Sequence, residues 1–145
     1  MAYWLVKSEP YKYSWDQFEI DGETYWDGVR NYQARNNLKS MKKGDLLLWY
    51  HSNKGLEIVG IAQIVGESYQ DPTTDNANWV VVDLKPIKKF EKPVTLTEIK
   101  ADVRLSKMPL VRQGRLSVQP VKEEEWVVVM ELAGIDISSF GEPIE

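Results

Sequence analysis

The sequence predicts a small α+β protein, most simply a curved or closed β-sheet with short helices around it, and three observations carry that expectation. Apolar runs of strand length recur at residues 3–7, 46–50, 56–65 and 79–84. Between them stand helix-opening signals, Ser14-Trp15-Asp16-Gln17 and Thr95-Leu96-Thr97-Glu98, both with capping-box spacing. The chain has 145 residues and no repeat, low-complexity segment or linker, which suits one domain burying roughly 68–70% of the surface its unfolded form exposes. That domain is expected over residues 1–134, with a C-terminal tail over 135–145 docked through Phe140.

Taken in order, Tyr-Trp-Leu-Val-Lys at 3–7 is a strand stopped by Ser8-Glu9-Pro10. Ser14 opens a brief helix to about Glu19, and Gly22 closes it. Asp27-Gly28 is a turn, and Asn31 can cap a helix from Tyr32 to about Met41. After the charged turn at 42–45, Leu46 to Tyr50 is continuous enough in apolar residues to be a central strand covered on both faces. Leu56 to Val65 returns beside it as a hairpin.

Residues 67–78 hold turn formers and read as a long polar loop of the kind that often carries function. Trp79 to Leu84 is a further strand, continued along a sheet edge by 85–90, because Pro86 has no N–H for an interior ladder. Thr95 starts a short helix through Ala101. Residues 104–118 are irregular around a buried run, Met108 to Val111. Pro120 and Glu123 to Glu125 announce a last helix ending at Gly134; the acids in front and the terminal glycine outweigh the strand preference of Val127-Val128-Val129.

Composition narrows the function. The absence of cysteine excludes disulfides, thiolate nucleophiles and the usual structural zinc or iron–sulfur sites. A formal net charge of −4 argues against a general grip on the nucleic-acid backbone, although Arg104, Lys107, Arg112 and Arg115 form a local basic stretch free of acids. The N-terminus lacks a secretory pattern and no segment has the length of a membrane span, so a cytoplasmic protein without membrane contact is expected.

Dinucleotide, P-loop and zinc-protease motifs are absent, and no cofactor or metal is expected. Asp71 and Asp75 could meet a hard cation, but acids on a solvated loop are ordinarily only that. The single histidine, His51, limits nucleophilic catalysis, and no nucleophile elbow accompanies it. Its plain role is to finish a strand and bond a turn.

The six tryptophans divide into two kinds. Trp4, Trp15, Trp49 and Trp126 sit in apolar patterns and belong to the core. Trp26 and Trp79 have polar or turn neighbours and suit either the core margin or the mouth of a pocket. Trp26 opens an eleven-residue stretch to Asn36 that combines two aromatic rings, two guanidiniums and several amides. An indole can stack on a base, arginine offers a forked donor set, and Asn or Gln can pair with a base edge. A turn feeding an amphipathic helix accounts for the same residues, so both readings stand. Lys7-Ser8 at the end of the first strand and Ser117 to Gln119 before the last helix are likewise either ordinary turns or groups presented to a ligand.

Several motifs together resemble the EVE domain family: residues 3–10, Trp26 to Asn36, Tyr50-His51-Ser52, Asp71-Pro72-Thr73 and Leu116 to Val121, in that order from about Tyr3 to Gly134. The resemblance implies a PUA-like fold, a small β-barrel with peripheral helices related to YTH and ASCH domains. It implies a pocket for a modified nucleobase flipped out of DNA, or for a modified base in RNA. Carried over, Trp26 would be a stacking wall, and Arg30 and Asn31 would contact the base edge or its phosphate. Lys7, Ser8, Gln33, His51 and Ser52 would line the rest, with Ser117 and Gln119 closing it.

The implied partner is nucleic acid carrying a modified base, modified cytosine in DNA first and modified RNA next, with an effector protein acting on the signal. The implied role is non-catalytic reading. The alternative is an enzyme acting on nucleic acid through His51 and a loop carboxylate such as Asp71. A scaffold or small-molecule binder on the same fold is a third reading.

Overall fold

A computed structural model describes residues 1–52 and 55–136. Phe140 and most of the expected tail lie outside the described residues. Six strands form one mixed sheet: β1 (Tyr3–Ser8), β2 (Thr24–Tyr25), β3 (Leu46–His51), β4 (Glu57–Gln70), β5 (Val80–Thr95) and β6 (Val118–Val121), in the spatial order β2-β5-β4-β3-β1-β6. Among the described residues five short α-helices surround it: α1 (Trp15–Asp21), α2 (Tyr32–Ser40), α3 (Leu96–Ala101), α4 (Pro109–Arg112) and α5 (Glu123–Leu132). Among the described residues no helix is long and apolar enough to cross a membrane.

β3 is covered on both faces, as its composition requires. Leu47 and Trp49 enter one core with Trp4, Val6 and Phe18, while Leu48 and Tyr50 enter the other with Leu5, Ile61 and Trp126. This is the period-two alternation of a strand with two apolar sides. β1 pairs with β3 in parallel, so Lys7 stands opposite Tyr50 and Ser8 opposite His51. Two motifs more than forty positions apart thereby end side by side.

The sheet is not closed into a barrel. Its edges are β2, two residues long, and β6, which pairs only with β1. Helix α2 packs against β4, β5 and the edge strand β6. It buries Ala34 and Leu38 in the core, and Asn37 Nδ2 donates to Val118 O at 2.7 Å.

Several boundaries differ from the sequence expectation for local reasons. β4 continues to Gln70 through register shifts that coil the long β4–β5 ribbon, so the polar connection is shorter than 67–78. Pro86 lies on β5 beyond the stretch paired with β2, opposite Ala62 at a register shift in the β4 ladder, so one side of the strand is an open edge there. Residues 118–121 form a strand, and Pro120 is tolerated because β6 is an edge. α5 starts at Glu123 and is a helix through the valine triplet, as its flanking acids predicted. Asn31 caps α2 by accepting from Ala34 N–H at 2.9 Å, and Thr95 and Glu98 form the reciprocal capping box of α3.

Under one face lies an aromatic cluster. Trp49, fully buried, stacks on Phe18 with centroids 4.4 Å apart and meets Trp15 and Trp26 edge-on at 5.6 and 5.0 Å. Pairs of this kind contribute about 0.5–1.5 kcal/mol each beyond area burial, so the floor beneath Trp26 is stiff. Gly60 belongs to this arrangement, since a Cβ there would stand 2.6 Å from the Trp15 ring.

Candidate functional site

A cleft of about 580 Å³ opens between the end of β1 and the segment 24–30. Lys7, Ser8, Trp26, Arg30 and Ser117 line it. β1 delivers Lys7 and Ser8, and the backbone N–H of Lys7 donates to Ser117 O at 3.0 Å, which fixes the far wall. Trp26 N–H donates to Val82 O at 2.8 Å, anchoring the near wall to β5. The Trp26 indole is 9% exposed: its edge contact with Trp49 holds it from behind, and the cleft lies in front.

The 27–30 turn is held by Asp71. This carboxylate is fully buried, not solvated as its loop position suggested. Gly28 N–H and an Arg30 guanidinium N–H donate to its Oδ2 at 3.1 and 3.0 Å, while Thr73 N–H and hydroxyl donate to Oδ1. Burial alone would raise the Asp71 pKa, but the bonds from Thr73, Gly28 and Arg30 outweigh it and pull it down to about 2. Gly28 adopts φ 77°, a left-handed conformation suited to glycine, which aims its N–H at the carboxylate.

Lys7 stands between this cleft and a second of about 470 Å³, lined also by Tyr50, Ser52, Lys100 and Arg115. Its ammonium donates to Gly114 O and lies 5.8 Å from the Tyr50 ring centroid, and burial lowers its pKa. A third hollow of about 340 Å³ is lined by Asn31, Gln33, Gln113, Gly114, Arg115 and Leu116, with Gln33 donating to Gln113 Oε1 at 3.1 Å. Ser8 is buried, and its hydroxyl donates to Tyr13 O.

The structure therefore gathers Lys7, Ser8, Trp26, Arg30 and Ser117 around one cleft, puts Ser52 in the second and Asn31 and Gln33 in the third. His51, Trp79 and Gln119 line none of the three. His51 Nε2 accepts from Trp15 N–H at 3.4 Å, and burial lowers its pKa, so the neutral ring acts as an acceptor. Gln119 is fully buried and donates to Leu116 O at 2.8 Å, bracing the turn that shapes the clefts. Trp79 lies against Tyr32, with centroids 5.0 Å apart.

The cleft also contains Tyr13 and Tyr25, which sequence reasoning passed over. Tyr13 OH donates to Asp21 at 2.6 Å, and burial together with that bond pushes its pKa up to about 12. Tyr25 is next to Trp26 in the chain, and its place on β2 could have been read only with that two-residue strand in hand.

This geometry suits binding. The cleft offers an indole and three cationic side chains, Lys7, Lys12 and Arg30, beside the carboxylates of Glu9 and Asp27 and the hydroxyls of Ser8 and Ser117. No His51–Asp71 hydrogen bond is present among the described residues: His51 is engaged by Trp15 and Asp71 by Gly28, Arg30 and Thr73. A carboxylate with a pKa of about 2 is also a poor proton acceptor. Among the described residues no group of three or more His, Cys, Asp or Glu is arranged to hold a metal.

Comparison with known proteins places this arrangement in context. The model of the EVE domain matches residues 2–132. Human thymocyte nuclear protein 1 is 34% identical over 165 aligned residues, spanning 90% of this chain and 73% of that protein. The crystal structure of human THYN1 in complex with DNA containing 5-methylcytosine superposes with a TM-score of 0.86 at 33% identity, covering 94% of this chain and 99% of that one. An Agrobacterium tumefaciens protein of 44% identity reaches a TM-score of 0.92 over 99% of this chain and 97% of its own. The YTH domain of Zygosaccharomyces rouxii MRB1, 14% identical with a TM-score of 0.60 over 91% of this chain and 86% of its own, shares the fold.

Proposed function

The chain belongs to the EVE domain family, with its PUA-like fold, and from that premise we propose that it is a non-catalytic reader of a modified nucleobase, held in the cleft walled by Trp26. Modified cytosine flipped out of DNA is the favoured ligand and a modified RNA base the second. The human relative seen with 5-methylcytosine DNA supports the first choice. The observation that carries the reading is the placing of Trp26. Its indole is clamped from behind by Trp49 and borders a cleft of about 580 Å³ between Lys7 and Arg30.

The energetics favour selective, moderate binding. Extruding a base costs a few kcal/mol, and stacking on an aromatic wall returns roughly 1–3 kcal/mol. An added methyl in an apolar notch contributes about 0.8 kcal/mol, enough to decide a near-balanced equilibrium. The walls are fixed before the ligand arrives, by Asp71 on one side and Ser117 on the other, so little ordering cost remains. The signal then passes to an effector protein that recognises the loaded reader.

The test is a fluorescence titration with matched DNA and RNA oligonucleotides carrying unmodified, methylated and hydroxymethylated bases, with product analysis alongside. Selective binding of one modified set, lost in Trp26→Ala and largely kept in Trp26→Phe, is expected. Equal binding of every oligonucleotide refutes the reading, and a covalently altered product replaces it with an enzymatic one.

A further inference from the structure

Trp79 stays outside the cleft yet touches its rim. Arg30, whose guanidinium lines the cleft, lies over the Trp79 ring with 5.7 Å to the centroid. Trp79 packs on Tyr32 at 5.0 Å with the planes 33° apart, and the Arg35 guanidinium lies 5.0 Å over the Tyr32 ring. The result is a surface ladder, Arg30–Trp79–Tyr32–Arg35, running from the mouth of the cleft onto helix α2. Tyr32 is 57% exposed. Tyr32, Arg35, Asn36 and Lys39 stand at i, i+3, i+4 and i+7, opposite the buried Ala34 and Leu38, and share the outward face of α2.

The ladder is preorganised. Asn36 Oδ1 accepts from Arg35 Nε and NH2, and Asn78 O accepts from NH1, while Arg30 is fixed by Val29 O, Asp71 and Thr73. Each guanidinium keeps N–H groups to spare for a ligand. Charge points to the same kind of ligand. Residues 28–44 contain Arg30, Arg35, Lys39, Lys42 and Lys43 and no acid, in a chain of net charge −4. Arg104, by contrast, is consumed by Asp102 and Glu131, so the basic stretch anticipated at 104–118 is partly neutralised within the fold.

We infer that the Arg30–Trp79–Tyr32–Arg35 ladder is a platform for the strand flanking the read base, with Arg35 and Lys39 contacting its phosphates and the exposed edge of Tyr32 lying against its sugars and bases. Cationic groups held by aromatic rings beside a base cleft match the two needs of a flanking strand, a fixed cation for each phosphate and an apolar edge for the sugar and base between them. The platform rests on the proposed base-reading cleft and adds the direction in which the nucleic acid leaves it, across α2 toward Lys39.

The experiment compares the full chain with Tyr32→Ala, Arg35→Gln and Trp26→Ala, titrated with a methylated nucleoside and with a methylated and an unmodified single-stranded twelve-mer at several salt concentrations. Tyr32 is exposed and Arg35 half-buried, so their variants keep the fold, and circular dichroism checks this. Tyr32→Ala, which removes the exposed ring edge and the seat of Arg35, is expected to weaken twelve-mer binding roughly 2- to 5-fold with nucleoside binding and base preference unchanged. Arg35→Gln is expected to lower the salt slope by about one. If both variants bind the twelve-mer like the parent, or if flanking nucleotides add nothing to nucleoside affinity in the parent, the platform is overturned while the base reading stands. Ladder-dependent binding without preference for a modified base supports the platform and refutes the base reading. Absence of binding to every twelve-mer overturns the platform, and if duplexes carrying the modified base also go unbound the base reading falls with it.

Discussion

Asp71→Asn isolates the part of the structure that shapes the cleft without touching its floor. Both oxygens of Asp71 are acceptors: Oδ1 takes the N–H and hydroxyl of Thr73, and Oδ2 takes Gly28 N–H and Arg30. An amide keeps only one oxygen, so its NH2 must face either the Gly28–Arg30 donors or the Thr73 donors, and one pair of bonds becomes a donor–donor conflict. The depressed pKa, about 2 against an ordinary 3.8, corresponds to about 2 kcal/mol of preference for the charged form in the folded state.

Breaking a fully buried ion pair costs about 3–5 kcal/mol, but the Arg30 side chain is 41% exposed and water re-solvates it, which brings the expected loss to about 2–3 kcal/mol. At about 2–4 °C per kcal/mol, Tm falls by roughly 4–12 °C at pH 7. The pH dependence has a definite sign. A carboxylate whose folded pKa is depressed stabilises the fold above its unfolded pKa, and that contribution fades as pH falls through the folded value. The gap between parent and variant should therefore be full at pH 5 and shrink steadily toward pH 2, as read by chemical denaturation at each pH. An unchanged Tm at pH 7, or a gap constant from pH 5 to 2, refutes the assignment of Asp71 as the clamp of the 27–30 turn.

Three further outcomes follow from packing and capping. Gly60→Ala drives a methyl into the Trp15 ring, which is 1% exposed and has no room to retreat, and should cost about 1–3 kcal/mol by urea denaturation. Asn31→Ala removes the cap of α2 and should cost about 1 kcal/mol, with Asn31→Asp restoring most of it; equal stability of all three would show that the cap contributes nothing. His51 should titrate below its ordinary 6.5 by NMR, because burial disfavours the imidazolium; stability is then fully present above 6.5 and is lost as pH falls from there through the lower folded value, a dependence that His51→Gln should remove.

Much of the fold was legible because it depends on local rules. The capped starts of α1, α2 and α3, the two-sided burial of β3 and the edge position of Pro86 each follow from residue types within a few positions. The four tryptophans in apolar patterns are all buried. What went unread depends on pairing between distant segments. β2 is two residues long and exists only because β5 is beside it, and β6 exists because β1 offers an edge to a segment containing proline. The sheet stays open, with α2 packed on β4, β5 and β6, a matter of helix placement that no periodicity encodes.

The candidate site divides in the same way. The sequence by itself determined which chemistry is present: one indole, one phenol, two guanidiniums and several amides concentrated between Trp26 and Asn36, one histidine and no cysteine. Only the tertiary structure decided how that chemistry is shared out. It turned Trp26 and Arg30 toward a cleft, drew His51 and Gln119 into bracing hydrogen bonds, buried Asp71 as a clamp and set Trp79 against Tyr32 on the outside. The physical reason is that a side chain's role depends on which partner reaches it first across the sheet. For His51 and Asp71 those partners, forty or so residues away in the chain, are supplied by strand register and helix packing rather than by sequence neighbours, whereas Gln119 is held by Leu116 three positions before it.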